Sequence, residues 1–139
     1  MNNQPFFFRC IRESCQQEFE ITQKLYQCPT CSDLLDIVYN FPKIEGTQIR
    51  ETFRQRRASS DPLDLSGVWR YREFLPFAQK DLSNVITLGE GNSPILETPN
   101  SANYVGLTHL RVKHLGWNPS GSFKDHGMTV GLSQAKILG

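Results

Sequence analysis

Short hydrophobic runs, separated by polar and glycine-containing stretches, divide the chain into three parts. Residues 1–40 alternate briefly between apolar and charged side chains, and residues 41–83 are mostly polar with helical pieces. Residues 84–139 combine strand-like runs with a helical pattern. The pattern predicts a small module, a connector, and the opening of an α/β domain.

The connector is expected to contain one helix followed by an aromatic segment. Ile49 and Phe53 lie four residues apart, which predicts a helix over 47–57 with both side chains on one face. The following Asp-Pro pair at 61–62 predicts a turn. The aromatic-rich segment 68–77 is interpreted as an element that packs on a larger core.

The last part is expected to contain two strands. The run 85–88 is typical of a short strand that ends at the glycines of 89–91. Leu110 and Val112 alternate with charged residues, which predicts a half-buried strand. Loop-forming residues follow at 116–121.

A helix is expected to begin near Ser122, with Asp125 three residues later completing a pattern typical of a capping box. Its apolar residues recur at helical spacing: Met128, Leu132, Ala135 and Leu138. Gly127 and Gly131 lie on an adjoining face and predict the close approach of another backbone.

Composition and charge exclude some partners. The chain is 38% hydrophobic and 21% charged, which is ordinary for a globular protein. A formal net charge of +1 gives no strong attraction to nucleic acid or anionic membrane, so neither is expected as a partner. The basic residues Arg54, Arg56 and Arg57 are interpreted as a solvated helix face, with a partner site as the alternative.

No feature of the chain directs it out of the cytosol. Its apolar stretches are far shorter than the ~20 residues that span a bilayer, and the start lacks the order of a secretory signal. A cytoplasmic location is therefore expected, where disulfides are rare.

The four cysteines, Cys10, Cys15, Cys28 and Cys31, are spaced as C-x4-C-x12-C-x2-C. Zinc takes four thiolates at the corners of a tetrahedron, and a two-residue spacer suits one turn that directs both sulfurs at the ion. The wider Cys10–Cys15 loop would have to bulge. Four sulfur ligands leave no position for water, so the spacing favours a structural site in a zinc-ribbon-like module. Inert free thiols and a redox Cys-x-x-Cys pair are the alternatives.

Lys124 lies within the first turn of the expected final helix. The positive end of a helix dipole and an apolar pocket both favour a neutral amine, which is the form that attacks an aldehyde. Position alone is weak support, because a lysine at a helix start is usually at the surface.

The segment 118–128, NPSGSFKDHGM, closely resembles the cofactor-lysine motif of threonine synthases, which are pyridoxal-phosphate enzymes of the tryptophan-synthase β fold type. Two further segments are similar to the same family: 66–72, SGVWRYR, and 87–94, TLGEGNSP. The resemblance covers most of the chain from residue 66 onward, and the cysteine-bearing start is compatible with it.

The resemblance implies a doubly wound α/β domain in which Lys124 holds pyridoxal 5'-phosphate covalently and later moves protons. It also implies a lyase that converts O-phospho-L-homoserine and water to L-threonine and phosphate, and a completed enzyme that is expected as a homo-oligomer. The alternatives are a serine/threonine dehydratase, a cysteate synthase, or a non-enzymatic zinc-ribbon module with an inactive α/β remnant.

Two residues depart from the family pattern. His126 stands where many members have arginine, and Leu115 where an acidic residue is common. An imidazole cannot replace a permanently charged guanidinium, so the role of that arginine is not carried over. Neither change affects Lys124.

The segment 89–93 is a candidate phosphate loop, but Glu90 would repel a phosphate, so a tight turn at a strand end is favoured. In the family, the glycine-rich loop for the cofactor phosphate comes later in the chain. No such loop follows Lys124, which predicts an incomplete enzyme that is inactive by itself.

Overall fold

The computed structural model of the chain describes residues 4–41, 44–77 and 81–139. The elements, in chain order, are β1 (Phe6–Cys10), β2 (Glu18–Glu20), β3 (Leu35–Tyr39), α1 (Gly46–Arg57), α2 (Pro62–Leu65), 3-10 helices at Trp69–Phe74 and Leu82–Asn84, β4 (Ile95–Glu97), α3 (Pro99–Tyr104), β5 (Arg111–Lys113), a 3-10 helix at Leu115–Trp117, and α4 (Asp125–Leu138). The fold is thus a mixture of helix and strand. Among these described helices, none has the length and apolar character needed to cross a membrane.

The first sheet joins three strands in the order β2-β1-β3, and both pairs are antiparallel. In the middle strand, Phe8 lies opposite Phe19 on one side and Ile37 on the other. Phe6 is buried, and its ring contacts Tyr39 edge-on at 5.4 Å between centroids. This sheet is the frame that carries the cysteine-bearing turns.

The helix predicted over 47–57 is confirmed as α1. Its Phe53 ring packs against Tyr71 at 4.7 Å and against Phe74 at 5.8 Å. Phe74 in turn contacts Phe41, just after the first sheet, at 5.3 Å. A chain of ring contacts therefore ties the connector to the first sheet.

The turn predicted at Asp61 and Pro62 is wrong, because these residues begin α2. The Asp61 carboxylate accepts a hydrogen bond from the Leu63 N–H at 2.8 Å, and Pro62 occupies the first helical position. Proline suits that position, since its φ is already helical and the N–H it lacks would have no partner there.

The predicted solvated basic face is correct for Arg54 and wrong for Arg56. Arg54 is largely exposed and pairs with Glu51 on the same helix. Arg56 is only 15% exposed, and its guanidinium donates to the Glu73 carboxylate and to the Arg70 carbonyl. Arg56 therefore holds α1 against the 3-10 helix that follows α2.

The strand predicted at 85–88 is not formed within the described residues. The Ile86 N–H donates instead to the Ser133 hydroxyl at 2.9 Å, and the Ile86 carbonyl accepts from the Thr129 hydroxyl at 2.6 Å. Side chains of α4 thus take the hydrogen bonds that a neighbouring strand would have made.

The strand predicted around Leu110 and Val112 is confirmed as β5, which pairs antiparallel with β4. Its predicted half-burial is wrong for the strand itself, whose three residues are exposed (Val112 43%), whereas Leu110, just before the strand, is half-buried. Among the described residues of 81–139 this pair is the whole sheet, and the doubly wound sheet is not confirmed.

Helix α4 begins at Asp125, later than the predicted start near Ser122. Its buried residues are polar, namely Thr129 and Ser133. Its large apolar side chains are exposed: Met128 53%, Leu132 46% and Ile137 37%. The polar side of the helix therefore faces the rest of the described chain, and the apolar side is uncovered.

Two glycine backbones cross in direct contact. A Cβ on Gly67 would lie 2.4 Å from the Asn92 nitrogen and 2.7 Å from the Gly91 Cα, so only glycine fits. A Cβ on Gly127 or Gly131 would meet nothing within 4 Å, so the close approach predicted on α4 is not found among the described residues. The crossing brings the segments around residues 67 and 91 together.

We expect Gly67→Ala to lower the free energy of unfolding by about 2 kcal/mol, because the added methyl forces two backbones apart. Gly131→Ala is the matched control in an open helical position, and it should raise stability by up to about 1 kcal/mol. Urea denaturation of both variants measures the difference. Equal stabilities would show that the crossing is not required.

Candidate functional site

The four cysteine sulfurs form one cluster. Cys10 ends β1, Cys15 lies in the turn after it, and Cys28 and Cys31 flank a turn before β3. All four sulfur atoms lie within 4.8 Å of one another, with Cys10 and Cys31 at 3.4 Å and Cys15 and Cys28 at 3.8 Å. Four sulfurs around one zinc ion are about 3.8 Å apart, given Zn–S bonds of about 2.3 Å. The cluster could form a zinc-ribbon-like site.

Backbone hydrogen bonds shape the two turns that carry these thiols. The N–H groups of Cys15 and Gln16 both donate to the Arg12 carbonyl, at 2.9 and 3.1 Å, and Gln16 has a positive φ of 49°. This is the bulge that the wider spacing required. In the second turn, the Ser32 N–H donates to the Cys28 carbonyl at 2.8 Å.

Burial and local hydrogen bonds give the thiols different acidities. Burial raises the pKa of the Cys10 thiol to about 12. Burial also acts on Cys28, but the backbone N–H groups of Thr30 and Cys31 outweigh it and lower the Cys28 pKa to about 7. A zinc ion would need all four thiols in the thiolate form, so its binding would release protons.

A buried carboxylate joins the segments 66–72 and 87–94. Glu90 is 2% exposed, and its oxygens accept from the Ser66 hydroxyl at 2.5 Å, the Thr87 hydroxyl at 3.0 Å and the Leu88 N–H at 2.9 Å. The structure assigns neither a strand nor a turn to residues 85–94, so the favoured strand-ending turn is not found there. The carboxylate itself takes the donors that a phosphate would have needed.

Asn118 joins the loop before Lys124 to the segment that contains Glu90 and Gly91. Its side chain is buried, and Oδ1 accepts from the Gly91 N–H at 2.8 Å while Nδ2 donates to the Leu115 carbonyl at 2.8 Å. The Asn118 carbonyl also accepts from the Gly121 N–H at 2.8 Å. The Asn118 side chain thus closes the loop before Lys124 and anchors it to the Gly91 backbone.

The aromatic segment 68–77 was expected to pack on a core, and this is confirmed for Trp69, which is fully buried. Its indole N–H donates to the Thr129 hydroxyl at 2.8 Å, which donates to the Ile86 carbonyl. The Ser133 hydroxyl donates to the Thr129 carbonyl at 2.6 Å. The sequence offered one signal for this role: Thr129 and Ser133 recur four residues apart, opposite the apolar face.

The predicted capping box of Ser122 and Asp125 is wrong. The Asp125 carboxylate reaches five residues back, where it accepts from both the N–H and the hydroxyl of Ser120. These hydrogen bonds hold the pKa of Asp125 below its usual value. Ser122 instead accepts from the Lys124 N–H at 3.2 Å. The loop is thus hydrogen-bonded up to the residue that begins α4.

Lys124 stands immediately before α4 and is exposed. Its amine makes no hydrogen bond or ion pair with any residue that the structure describes. The Lys124 backbone is therefore held by the hydrogen bond to Ser122, while the Lys124 amine has no partner among the described residues.

Comparison with known proteins gives several related sequences. The chain is 39% identical over 131 residues to a threonine synthase of Methanocaldococcus jannaschii, covering 94% of this chain and 29% of that protein. It is 32% identical over 136 residues to a threonine synthase of Methanosarcina acetivorans, covering 96% of this chain and 29% of that protein. A threonine synthase of Synechocystis is 46% identical over 70 residues, half of this chain and 18% of that protein. No protein-family model matches.

The chain is related to the threonine synthases. Its alignment with the two archaeal relatives corresponds to their amino-terminal part and spans about 29% of their length. The resemblance noted in the sequence is therefore confirmed, and the archaeal alignments, over 94% and 96% of the chain, also cover the cysteine-bearing start.

In this relative of the threonine synthases, the structure groups the predicted site residues in two places. The four cysteines come together in the first sheet, and the loop of Lys124 joins the other two family-like segments through Asn118 and Glu90. Sequence reasoning did not assign Asn118 a role. The role of Asn118 becomes recognisable only once its contact with the Gly91 backbone is known.

We expect the protein, purified without chelator, to carry about one zinc ion per chain, because four thiols already have the required spacing. Elemental analysis measures the metal, and titration of thiols before and after a chelator is the control. Absence of zinc together with four freely titratable thiols in the folded protein would contradict the zinc site.

Proposed function

We propose that this chain is the amino-terminal part of a threonine synthase, a pyridoxal-phosphate-dependent lyase of threonine biosynthesis. Its substrates would be O-phospho-L-homoserine and water, and its products L-threonine and phosphate. The observation that carries the proposal is the assembly of three family-like segments, 66–72, 87–94 and 118–128, around one buried hydrogen-bonded network. The relatives named threonine synthase support the same assignment.

Lys124 is the residue that would hold pyridoxal 5'-phosphate. Its amine is exposed and has no partner among the described residues, so an aldehyde can reach it. Bound there, the cofactor would supply an electron sink for the substrate. Lys124 would then carry protons between substrate carbons while the bond from the γ carbon to phosphate breaks and water adds at the β carbon.

The loop before Lys124 supports this role by its rigidity. Asn118 fixes the loop's first half, and the Ser120–Asp125 hydrogen bonds fix its second half. A catalytic amine needs a defined position, because a small misplacement of a reacting group costs much of the rate.

The cysteine cluster would have a structural role. Four sulfur ligands, Cys10, Cys15, Cys28 and Cys31, would fill the tetrahedral positions of a zinc ion. No position is left for water or substrate, so the metal would stabilise the first module and take no part in the reaction.

The uncovered apolar surfaces suggest further structure around the lysine helix. Met128 and Leu132 on α4 are exposed, and so is Val112 on β5. We propose that they pack against the remainder of a doubly wound α/β domain, in keeping with the greater length of the relatives. An exposed covalent link to an aldehyde is open to hydrolysis, so these 139 residues alone are expected to be inactive.

The decisive test is substrate turnover by an enzyme that contains this chain with the remaining domain. We expect it to release phosphate from O-phospho-L-homoserine and to form equal amounts of L-threonine, measured by phosphate assay and amino-acid analysis. Turnover of L-serine or L-threonine without phosphate release would favour a dehydratase. Zinc binding without any turnover would favour a non-enzymatic module.

We expect Lys124→Ala to abolish the visible absorption of covalently bound pyridoxal phosphate, because the reacting amine is removed. Lys136→Ala, an exposed lysine in the last turn of the same helix, is the matched control and should keep the absorption. Borohydride reduction followed by peptide mapping should find the cofactor on Lys124. A label on another lysine would contradict the assignment.

A further inference from the structure

A basic cleft of about 570 Å³ lies beside the crossing of Gly67 and Gly91. Four of its lining residues carry basic side chains, namely Arg57 of α1, Arg70, Lys113 of β5 and His126 of α4, and none of its lining residues is acidic. Its volume lies within the range of small-molecule sites. Residues from every family-like segment therefore meet around one basic space.

The positive charges of this cleft lack the carboxylate partners that other arginines have. Within the described chain, six arginines each pair with a carboxylate: Arg9, Arg12, Arg54, Arg56, Arg72 and Arg111. Arg57 has no hydrogen bond or ion pair with any described residue. An unbalanced group of cations in a concave site attracts an anion.

The partners of the other two permanent cations are neutral. Arg70 is 5% exposed and donates to the Asp64 carbonyl and to the Asn92 side-chain oxygen, both at 2.9 Å. Lys113 donates to the Ser93 carbonyl at 2.7 Å. A buried guanidinium without a counter-charge is costly, and an anion in the cleft would supply one.

Two buried polar atoms on the same cleft have no hydrogen-bond partner among the residues that the structure describes. They are the hydroxyl of Ser93, a residue 7% exposed, and Nε2 of His126. Buried polar atoms without partners are few in native proteins, and each calls for an explanation. Both groups can donate a hydrogen bond, so they add to a site that is rich in donors.

We propose that this cleft binds a small phosphate-type anion, either inorganic phosphate or the phosphate group of an organic monoester. A phosphate carries about two negative charges near neutral pH and accepts several hydrogen bonds, which matches three cations and two free donors. The planar fork of an arginine guanidinium can donate to two phosphate oxygens at once. The choice of a phosphate monoester rests on the proposed function, whose substrate and product carry this group, but the binding itself needs neither the cofactor nor the reaction.

The test is calorimetric titration of the 139-residue protein with inorganic phosphate at constant ionic strength and without cofactor. We expect saturable binding. Arg57→Gln and Lys113→Gln should each weaken the affinity for phosphate by about fivefold, because each removes one partly exposed positive charge. Arg54→Gln is the matched control, because Arg54 lies on the same helix outside the cleft and should bind phosphate unchanged. Circular dichroism verifies that each variant is folded.

Competition distinguishes the two sources of phosphate. Displacement of inorganic phosphate by O-phospho-L-homoserine, with no effect of L-homoserine, would support recognition of the shared phosphate group. Binding of inorganic phosphate alone would support a site for the free ion. The proposal is overturned if no saturable phosphate binding occurs in the millimolar range, if Arg54→Gln weakens binding as much as Arg57→Gln, or if L-homoserine binds as tightly as its phosphate ester. None of these results depends on turnover, so the proposed function can hold while this inference fails.

Discussion

The buried carboxylate of Glu90 is the constraint on which the second half of the protein depends. A carboxylate that leaves water without hydrogen bonds is very costly, so the chain must bring donors to it. It does so with the Ser66 and Thr87 hydroxyls and the Leu88 N–H. Next to Ser66, Gly67 crosses the backbone of Gly91 and Asn92 at a distance that leaves no room for a side chain. The carboxylate and the glycine crossing therefore form one structural unit.

This unit positions both the proposed cofactor lysine and the basic cleft. The Asn118 side chain anchors the loop before Lys124 to the Gly91 N–H, next to the crossing. The cleft opens on the same glycines, between basic side chains that different elements supply. The core around the crossing is mostly polar, and the apolar side of α4 is exposed. The stability of this region therefore rests on hydrogen bonds more than on apolar burial. Replacing one of its buried polar residues should for that reason lower the free energy of unfolding.

The first module has a different basis for its stability. Its buried apolar residues are Phe6, Phe7, Cys10 and Cys28, too few for a conventional core. A metal ion held by four thiolates would compensate, since its binding energy becomes folding energy. The module also touches the lysine helix, because the Gln134 side chain donates to the Ile21 carbonyl at 3.4 Å. The proposed structural metal and the proposed catalytic helix are thus parts of one connected architecture.

Local spacing in the sequence was enough to predict the cysteine cluster and helix α1, and the family resemblance singled out the lysine loop. The spacing within each cysteine pair and the helical period of Ile49 and Phe53 are local patterns that the sequence shows directly. Tertiary structure alone decided that Thr129 and Ser133 face inward, and that the run 85–88 pairs with a helix rather than a strand. It also decided that Arg57 and Lys113 share one cleft. The physical reason is that hydrogen-bond donors far along the chain determine which side of an element is buried, and no local pattern records where those donors lie.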